Sequence, residues 1–335
     1  MRRKLKITFL ADAGVIPGSD RQLEGDPEEI ITEYHVVEAL RFLGHTVSVV
    51  GVHDDIRAIV DAITGQEPEL VFNLTEQFSG LRYMDKNVAA VLEMMQIPFT
   101  GTGSVGMMLC RDKRLCKELL SHHRIRVPGF VSIPWGRRVR IGKSIRYPLV
   151  VKPALEDGSE GISNASLVWD ESALMERAAF VHERWRQDVI AEEYIEGREL
   201  YVSILGNERL VVFPMRECFL NRAEEGGPNL ATYRVKWNDA YRKKWGISFG
   251  YADLDAETEK RIGRVCKKVY RLLHLQDYGR IDLRLTPDGK LVILEANPNP
   301  ALAYGEEVAE SAEKAGVTYE QLIDRIIQAA LRRCE

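Results

Sequence analysis

Short apolar runs alternate with amphipathic stretches over the first hundred residues of this 335-residue chain. Lys6–Ala11, Thr46–Val52 and Leu70–Asn73 have the composition of strands, and Glu28–Leu43 carries apolar side chains at helical spacing. Alternation of this kind predicts a parallel sheet with helices on its faces. Such sheets bind ligands at the carboxyl ends of their strands, where the Gly- and Pro-containing loop 14–18 is expected to lie.

Further along the chain the pattern changes to mixed α+β. The predicted strands are Ile97–Thr100, Phe130–Pro134, Leu149–Lys152, Ile190–Glu193, Tyr201–Leu205, Arg280–Leu285 and Leu291–Glu295. The predicted helices are Asp85–Met95, Ser104–Leu120, Glu171–Arg184, Asp255–Leu273 and Tyr319–Arg332. The segment Asn221–Ala252 is polar and has no clean period, so a long and functional loop is predicted there.

Composition excludes several classes of protein. The chain has 46 Lys+Arg against 50 Asp+Glu, a formal net charge of −4, which argues against binding nucleic acid by bulk charge. Its five cysteines are scattered without CxxC spacing, so neither a disulfide framework nor a zinc site is indicated. No apolar stretch approaches the roughly 20 residues of a membrane span. We therefore expect a cytoplasmic protein of two or three domains with no nucleic-acid or membrane partner.

One motif matches the pattern of a dinucleotide-binding site. Gly101-Thr-Gly103-Ser-Val-Gly106 matches the GxGxxG pattern of dinucleotide-binding sites. It lies far from the first predicted βα turn, and Arg126-Val-Pro128 stands where an acidic strand end is expected, about 20 residues on. A tight turn into a helix is the simpler interpretation, and an NAD site is disfavoured.

The strongest chemical signal lies near the C-terminus. Arg280-Ile-Asp282 and Glu295-Ala-Asn297 occupy two apolar strands joined by a predicted hairpin turn. Alternate residues of a strand share a face, so two carboxylates and an amide come within reach of one another. These hard oxygen donors suit Mg²⁺, with Mn²⁺ as the alternative ion. A hairpin with solvated acids is the competing interpretation, but its apolar flanks make uncompensated acids costly.

Two weaker signals precede it. Lys152 ends a predicted strand and is followed by a loop of small residues that contains Gly158, Ser159 and Gly161. Glycines allow backbone N–H groups to approach a polyphosphate, and the lysine adds a point charge. The acidic segment 192–199 can offer backbone groups to an adenine and a carboxylate to a ribose. Taken singly, an ordinary hairpin and an acidic turn are equally good interpretations of these segments.

Together and in this order, the motifs resemble the ATP-grasp superfamily, and within it the D-alanine–D-alanine ligase branch. The resemblance covers nearly the whole chain and rests on segments 71–74, 96–103, 111–113, 152–161, 192–199, 233–236, 277–282, 295–297 and 315–322. It implies an ATP-grasp fold of mixed α/β and α+β character, preceded by a parallel-sheet N-terminal domain. The implied divisions are an N-terminal domain at 1–110, a central ATP-grasp subdomain at 111–190, and a C-terminal subdomain with the metal site at 191–335. A homodimer through the first of these is also implied.

The resemblance implies a role for each motif in binding ATP. Lys113 and Lys152 would contact the phosphates, and Lys236 would contact the terminal phosphate from a lid. The small-residue loop would close over the phosphates. Glu192 and the backbone near Ile195 would bind adenine, while Glu199 would bind ribose. The implied nucleotide-binding residues are Lys113, Lys152, Gly158, Ser159, Gly161, Glu192, Tyr194, Ile195, Glu199 and Lys236.

The resemblance also implies the reaction. In the family, ATP phosphorylates a carboxylate, and an amine then displaces phosphate to form an amide. Asp282, Glu295 and Asn297 would hold magnesium, while Arg280 and Lys236 would be the catalytic cations that stabilise developing charge. The partners implied are a small carboxylate and a small amine.

Departures from the family pattern point to different substrates. Gly158 stands where a serine is usual, and Trp237 stands where a lid tyrosine is usual. The segment 298–302 replaces a stretch of glycine and hydroxyl residues that cradles the second D-alanine. Thr75-Glu76 lacks the histidine of many relatives. We therefore predict an ATP-dependent carboxylate–amine ligase whose substrates are not two D-alanines.

Two questions stay open at this level. The family's glutamate that anchors the substrate amino group falls near Glu28 or Glu29, by a loose alignment. A non-catalytic ATP-binding regulator is an alternative to an enzyme, but such a protein would lose the arginine or the lid. Because Arg280 and Lys236 are both present, an enzyme is favoured.

Overall fold

The strand β1 (Lys6–Asp12) is buried from Ile7 to Ala11 and forms the centre of the first sheet. The computed structural model describes residues 3–15, 31–137, 142, 145–220 and 230–334. In it, β2 (Thr46–Val52) and β3 (Leu70–Asn73) flank β1 in a three-stranded parallel sheet. The predicted parallel sheet and these strands are therefore confirmed.

Both faces of this sheet are covered, because alternate side chains of β1 enter different cores. Ile7 and Phe9 pack with α1 (Ile31–Phe42), whereas Leu10 packs with α2 (Arg57–Gln66) and α3 (Asp85–Met94). Two further helices follow, α4 (Ser104–Arg111) and α5 (Lys113–His122).

Three local predictions require correction. Helix α2 was not predicted, although its buried Ile59 and Ile63 have helical spacing. The helix predicted over 104–120 divides at Asp112, whose extended backbone ends α4 and whose carboxylate accepts from the N–H groups of Arg114 and Leu115. The strand predicted over 97–100 amounts to one parallel bridge from Phe99 to β3.

The second sheet is antiparallel and has four strands in the order β4-β7-β5-β6. Its strands are β4 (Phe130–Ile133), β5 (Leu149–Pro153), β6 (Leu167–Val168) and β7 (Val189–Glu193). Helix α6 (Glu171–Trp185) begins at Asp170, whose side chain accepts from the N–H of Ala173. It buries Leu174, Ala178 and Val181 at helical spacing against this sheet.

The third sheet has six strands, ordered β11-β10-β8-β12-β13 with β9 beside β8. These strands are β8 (Arg198–Leu205), β9 (Val211–Val212), β10 (Arg216–Leu220), β11 (Ile247–Tyr251), β12 (Tyr278–Leu285) and β13 (Leu291–Pro298). Helix α9 (Ala256–Leu272) packs on it through a strongly amphipathic face. The β12–β13 hairpin agrees with the sequence prediction.

The segment predicted as a long loop, 221–252, contains regular structure. Residues 221–229 lie outside the described residues, but helices α7 (Tyr233–Trp237) and α8 (Asp239–Trp245) and strand β11 follow. Thr232 and Asn238 cap the two helices. The segment has no clean period because two short helices and a strand meet within it, so a window of 11–18 residues averages different periods.

The C-terminal helices return to the first sheet. Helix α10 (Glu307–Lys314) and helix α11 (Tyr319–Arg333) join the core that contains Ile7, Phe9 and Leu40. The side chains that α11 contributes to this core include Tyr319, Leu322, Ile323, Ile326 and Ile327. None of the helices in the described ranges combines the length and apolarity needed to span a membrane.

Replacing Asp112 should weaken the junction between α4 and α5. Asp112→Ala removes the acceptor for the Arg114 and Leu115 N–H groups, so we expect a loss of about 1 kcal/mol in the free energy of unfolding. Urea denaturation measures this loss. Asp112→Asn keeps a capping oxygen and serves as the control; equal losses for both variants would contradict the capping role.

Asp12, at the carboxyl end of β1, should make stability depend on pH. Burial raises the pKa of Asp12 from 3.8 to about 6, and the charge of Glu76 adds to the shift. The folded state therefore holds more protons than the unfolded state between these values, so stability falls as the pH rises from 4 towards 7. We expect Asp12→Asn to be more stable than the unmodified protein at pH 7.5, with a smaller difference at pH 4.5 in urea denaturation. An equal difference at both pH values would contradict the shift.

Candidate active site

The register of the β12–β13 hairpin places four predicted residues on one face. Asp282 pairs with Glu295 and Arg280 pairs with Asn297 across the two antiparallel strands. The register shifts just beyond Asp282, so Leu294 has no direct partner on β12. The two carboxylates predicted to hold a metal are therefore cross-strand neighbours, with the arginine and the amide one step further along.

Glu295 lies in a field of lysines that come from different elements. Burial raises the pKa of Glu295, but Lys113, Lys236 and Lys152 outweigh this effect and lower the pKa well below its usual range. Lys113 begins α5, Lys152 lies on β5 and Lys236 lies on α7. These three lysines, which are far apart in sequence, thus converge on one carboxylate.

The guanidinium of Arg280 is held by two carboxylates. Its Nε and Nη2 donate to the two oxygens of Asp282 at 2.7 and 3.0 Å, and its Nη1 donates to Oε2 of Glu307 at 3.3 Å. Glu307 is the first residue of α10. Burial raises the pKa of Asp282, an effect that Arg280 opposes. The centroid of the Tyr201 ring lies 5.3 Å from the Arg280 guanidinium carbon and 5.9 Å from Lys236 Nζ, so two cations contact one aromatic ring.

Glu192 is bracketed by two lysines. Its Oε1 lies 2.9 Å from Lys117 Nζ and its Oε2 lies 2.9 Å from Lys152 Nζ, and the side chains of Glu192 and Lys117 are each 2% exposed. Burial raises the pKa of Glu192, but the two lysines outweigh it and lower the pKa. Lys117 also donates to the carbonyl of Leu294 at 2.6 Å, which links α5 to the register shift beside Glu295.

Glu199, on β8, is also held by two side chains. Arg284 Nη2 donates to Glu199 Oε2 at 2.5 Å, and the Tyr201 hydroxyl donates to Oε1 at 3.0 Å. Burial raises the pKa of Glu199, but Arg284 and Lys236 outweigh it and lower the pKa. Arg284 and Tyr201 thereby hold Glu199 as an ionised carboxylate.

The small-residue loop follows β5 and turns with left-handed backbone. Gly158, Ser159 and Gly161 have φ values of +58°, +63° and +72°. At Gly161 a Cβ atom would lie 2.7 Å from Pro153 Cγ, so only glycine fits without displacement. Ser159 adopts this conformation with a side chain whose hydroxyl donates to the carbonyl of Ala231 at 2.9 Å.

One pocket collects most of the predicted nucleotide and metal residues. Those that line it are Lys152, Ser159, Glu192, Tyr194, Ile195, Glu199, Lys236, Asp282 and Glu295. The other predicted residues stand around it. Lys113 donates to the carbonyl of Glu156, Gly158 and Gly161 belong to the loop, and Arg280 and Asn297 continue the hairpin face. Glu28 and Glu29 lie outside the described residues.

Sequence reasoning missed four residues of the site: Lys117, Arg284, Tyr201 and Glu307. A signal was available for three of them, because Lys117 lies one helical turn after Lys113, Arg284 lies two residues after Asp282, and Tyr201 lies two residues after Glu199 on one strand. Glu307 contacts the site only through the placement of α10. No spacing in the sequence indicates that contact.

The hairpin residues fit a hard divalent cation. Two carboxylates and an amide supply only oxygen donors, and each carboxylate oxygen can accept from Arg280 and still bind an ion. In the described part of the chain, the Asn297 Nδ2 atom is enclosed and has no hydrogen-bond partner. This donor suits an acceptor such as a phosphate oxygen, whereas the amide oxygen is the atom that suits a cation. Clusters of three or more His, Cys, Asp or Glu side chains suited to a metal do not occur among the described residues.

Sequence comparison relates the chain to known proteins. The family model described as D-ala D-ala ligase C-terminus matches residues 132–328. A Sinorhizobium fredii protein named "Uncharacterized protein y4sG" is 32% identical over 264 residues, covering 79% of this chain and 75% of the other. A D-alanine–D-alanine ligase of Bacillus anthracis is 27% identical over 250 residues, covering 74% and 76%.

The fold comparison extends to nearly the whole chain. The crystal structure of the Bacillus anthracis D-alanine–D-alanine ligase complexed with ATP superposes with a TM-score of 0.74 at 21% identity, covering 98% of each chain. This match confirms the mixed α/β fold with its parallel N-terminal sheet. The hairpin, the converging lysines and the family match lead to one conclusion: the chain belongs to the D-alanine–D-alanine ligase family of the ATP-grasp superfamily.

Proposed function

We propose that this protein is an ATP-dependent, ADP-forming ligase that joins a small carboxylate to an amine through an acyl phosphate. The observation that carries this proposal is the convergence of Lys113, Lys152 and Lys236 on Glu295. Lys152 also pairs with Glu192, and Lys113 also donates to the carbonyl of Glu156. A polyphosphate with its cation would draw on the same three positive charges.

ATP would occupy the pocket between the second and third sheets. Lys152 and the loop at Gly158–Gly161 would contact phosphates, because the loop glycines allow a close backbone approach. Tyr194 and Ile195 line the same pocket and would face adenine, while Glu199 would accept from ribose hydroxyls. This arrangement supports the division into a nucleotide-binding pair of subdomains at 111–190 and 191–335 after an N-terminal domain at 1–110.

Asp282, Glu295 and Asn297 would hold Mg²⁺ or Mn²⁺. When bound, the ion supplies positive charge that neutralises the phosphate oxygens during phosphoryl transfer. The chain's own cations act on the remaining charge. Lys236 would touch the terminal phosphate, and Arg280 would stabilise the negative charge that develops when the amine attacks the acyl phosphate.

The structure around Arg280 supports substrates other than two D-alanines. Glu307 accepts from Arg280 Nη1 at 3.3 Å, and Glu306 precedes it at the start of α10. Arg280 is already paired with two carboxylates of the chain, so an amino-acid acceptor whose carboxylate used this guanidinium would compete with Asp282 and Glu307. A non-catalytic regulator is not favoured, because nucleotide binding alone does not require Arg280.

Replacing Glu295 should strongly reduce the turnover of the folded protein. Glu295→Gln keeps the shape but removes the charge, so we expect a loss of about 100-fold or more in kcat, since electrostatic stabilisation of the reacting phosphates is lost. Phosphate release in the presence of both substrates measures it. Asp288→Asn, in the exposed turn of the same hairpin, is the control. Near-normal turnover of Glu295→Gln would refute the metal assignment.

The substrate prediction has a direct test. With D-alanine as the sole substrate, we expect no ADP release above the background with ATP alone. A pairwise screen of amino acids, small carboxylates and amines should identify a pair that causes phosphate release only when both members are present. Amide formation is then verified by mass spectrometry. Robust turnover of D-alanine alone would overturn the proposed difference in substrates.

A further inference from the structure

A second cavity, which we call the α6 cavity, lies beside the small-residue loop. Residues of that loop, of α6, of α7 and of α8 line it, and its volume of about 470 Å³ falls within the range of small-molecule sites. Of the described residues, Ile162 alone lines both this cavity and the pocket of the candidate active site. The side chains that characterise the α6 cavity are Arg177, Phe180, Trp185, Tyr233, Arg234 and Tyr241.

The lining of the α6 cavity combines positive charge with aromatic rings. It contains two arginines and four rings, whereas Asp and Glu do not occur among its described residues. Two of the rings, Phe180 and Tyr233, are 48% and 51% exposed, so they keep apolar area in contact with solvent. Aromatic walls with a few polar groups are typical of sites for small molecules, and arginines select molecules that carry negative charge.

Arg177 is held by neutral groups. Its Nη2 donates to the carbonyl of Gly161 at 2.7 Å and to the hydroxyl of Ser166 at 3.1 Å, and its guanidinium carbon lies 4.6 Å from the centroid of the Phe180 ring. Its Nε is enclosed without a hydrogen-bond partner among the described residues, and its Nη1 makes neither of the two hydrogen bonds. Burial lowers the pKa of Arg177, and no carboxylate of the described residues opposes this effect.

The half-buried Arg177 lacks the counterion that other arginines shielded from solvent have. Four of these pair with a carboxylate, namely Arg111 with Asp85, Arg216 with Glu310, Arg280 with Asp282 and Arg284 with Glu199. Withdrawing a cation from water without a counterion costs stability. Helix α6 has no acid three or four residues from Arg177, the spacing at which helix neighbours pair. A ligand with a negative charge would supply the missing counterion.

We propose that the α6 cavity is a second binding site and that it takes a small aromatic anion, a planar ring that carries an oxyanion group. The oxyanion would pair with Arg177, and the exposed Arg234 would add to the positive field. The ring would pack against Phe180 and Tyr233 and cover their exposed area. Apart from Gly161, the lining has none of the residues assigned to the nucleotide or the metal, so this site does not depend on the proposed function.

Isothermal titration calorimetry of the full-length protein with phenyl phosphate tests the site. Phenol lacks the anion and inorganic phosphate lacks the ring, and we expect each to bind at least about tenfold more weakly than phenyl phosphate. Arg177→Gln removes the charge but keeps an amide that can donate to the Gly161 carbonyl, and it should weaken phenyl phosphate binding at least about tenfold. The control is Arg184→Gln, which neutralises an exposed arginine of the same helix outside the lining and should leave binding unchanged.

A second variant shows which cavity the probe occupies. Lys152→Gln neutralises a cation of the candidate active site, so it should weaken the binding of ADP with Mg²⁺ and leave phenyl phosphate binding within about twofold. Arg177→Gln should do the reverse. Phenyl phosphate binding that weakens in Lys152→Gln rather than in Arg177→Gln would refute the second site. Failure of the unmodified protein to bind ADP would refute the proposed nucleotide site and leaves the test of the α6 cavity intact.

Melting temperatures separate a ligand site from a purely structural role of Arg177. Because Arg177→Gln removes an uncompensated charge, we expect its melting temperature without probe to equal or exceed that of the unmodified protein. Phenyl phosphate should raise the melting temperature of the unmodified protein and of Arg184→Gln, but not that of Arg177→Gln. A lowered melting temperature of Arg177→Gln without probe would refute the proposal. Absence of phenyl phosphate binding to the unmodified protein, or equally tight binding of phenol or inorganic phosphate, would also refute it.

Discussion

The site depends on one unfavourable juxtaposition, the placement of Asp282 opposite Glu295 on adjacent strands. Like charges directly opposite one another destabilise a sheet, and burial makes the repulsion worse. The surrounding elements provide the balancing charge: α5 contributes Lys113, β5 contributes Lys152 and β12 contributes Arg280. The second and third sheets and α5 therefore supply the positive charge that keeps two facing carboxylates in place.

Much of this could be predicted from local sequence, because strand periodicity and hairpin spacing are short-range properties. Alternation along 280–285 and 291–295 was enough to place Asp282 and Glu295 on one face. The register shift beside Leu294 keeps them paired, and Lys117 stabilises the carbonyl at that point. Lys117 was missed because its partner lies 75 residues away on β7, a distance that only the tertiary fold closes.

The errors have identifiable physical causes, some local and one long-range. Asp112 divides a continuous apolar pattern into two helices, since its side chain caps the second helix while the apolar face continues past it. The stretch before β11 contains helices of five and seven residues, too short for a period to emerge. The contact of Glu307 with Arg280 depends on α10 returning across the molecule, so no pattern near either residue announces it.

The packing of α11 against the first sheet has a consequence for how the chain acquires its structure. Leu322 and Ile326 complete a core whose other members include Ile7 and Phe9, so β1 has permanent neighbours more than 300 positions further along the chain. The face of the first sheet that α11 covers stays incompletely buried until that helix has been synthesised. Contacts of such wide separation slow folding. Until they form, this apolar face is open to aggregation.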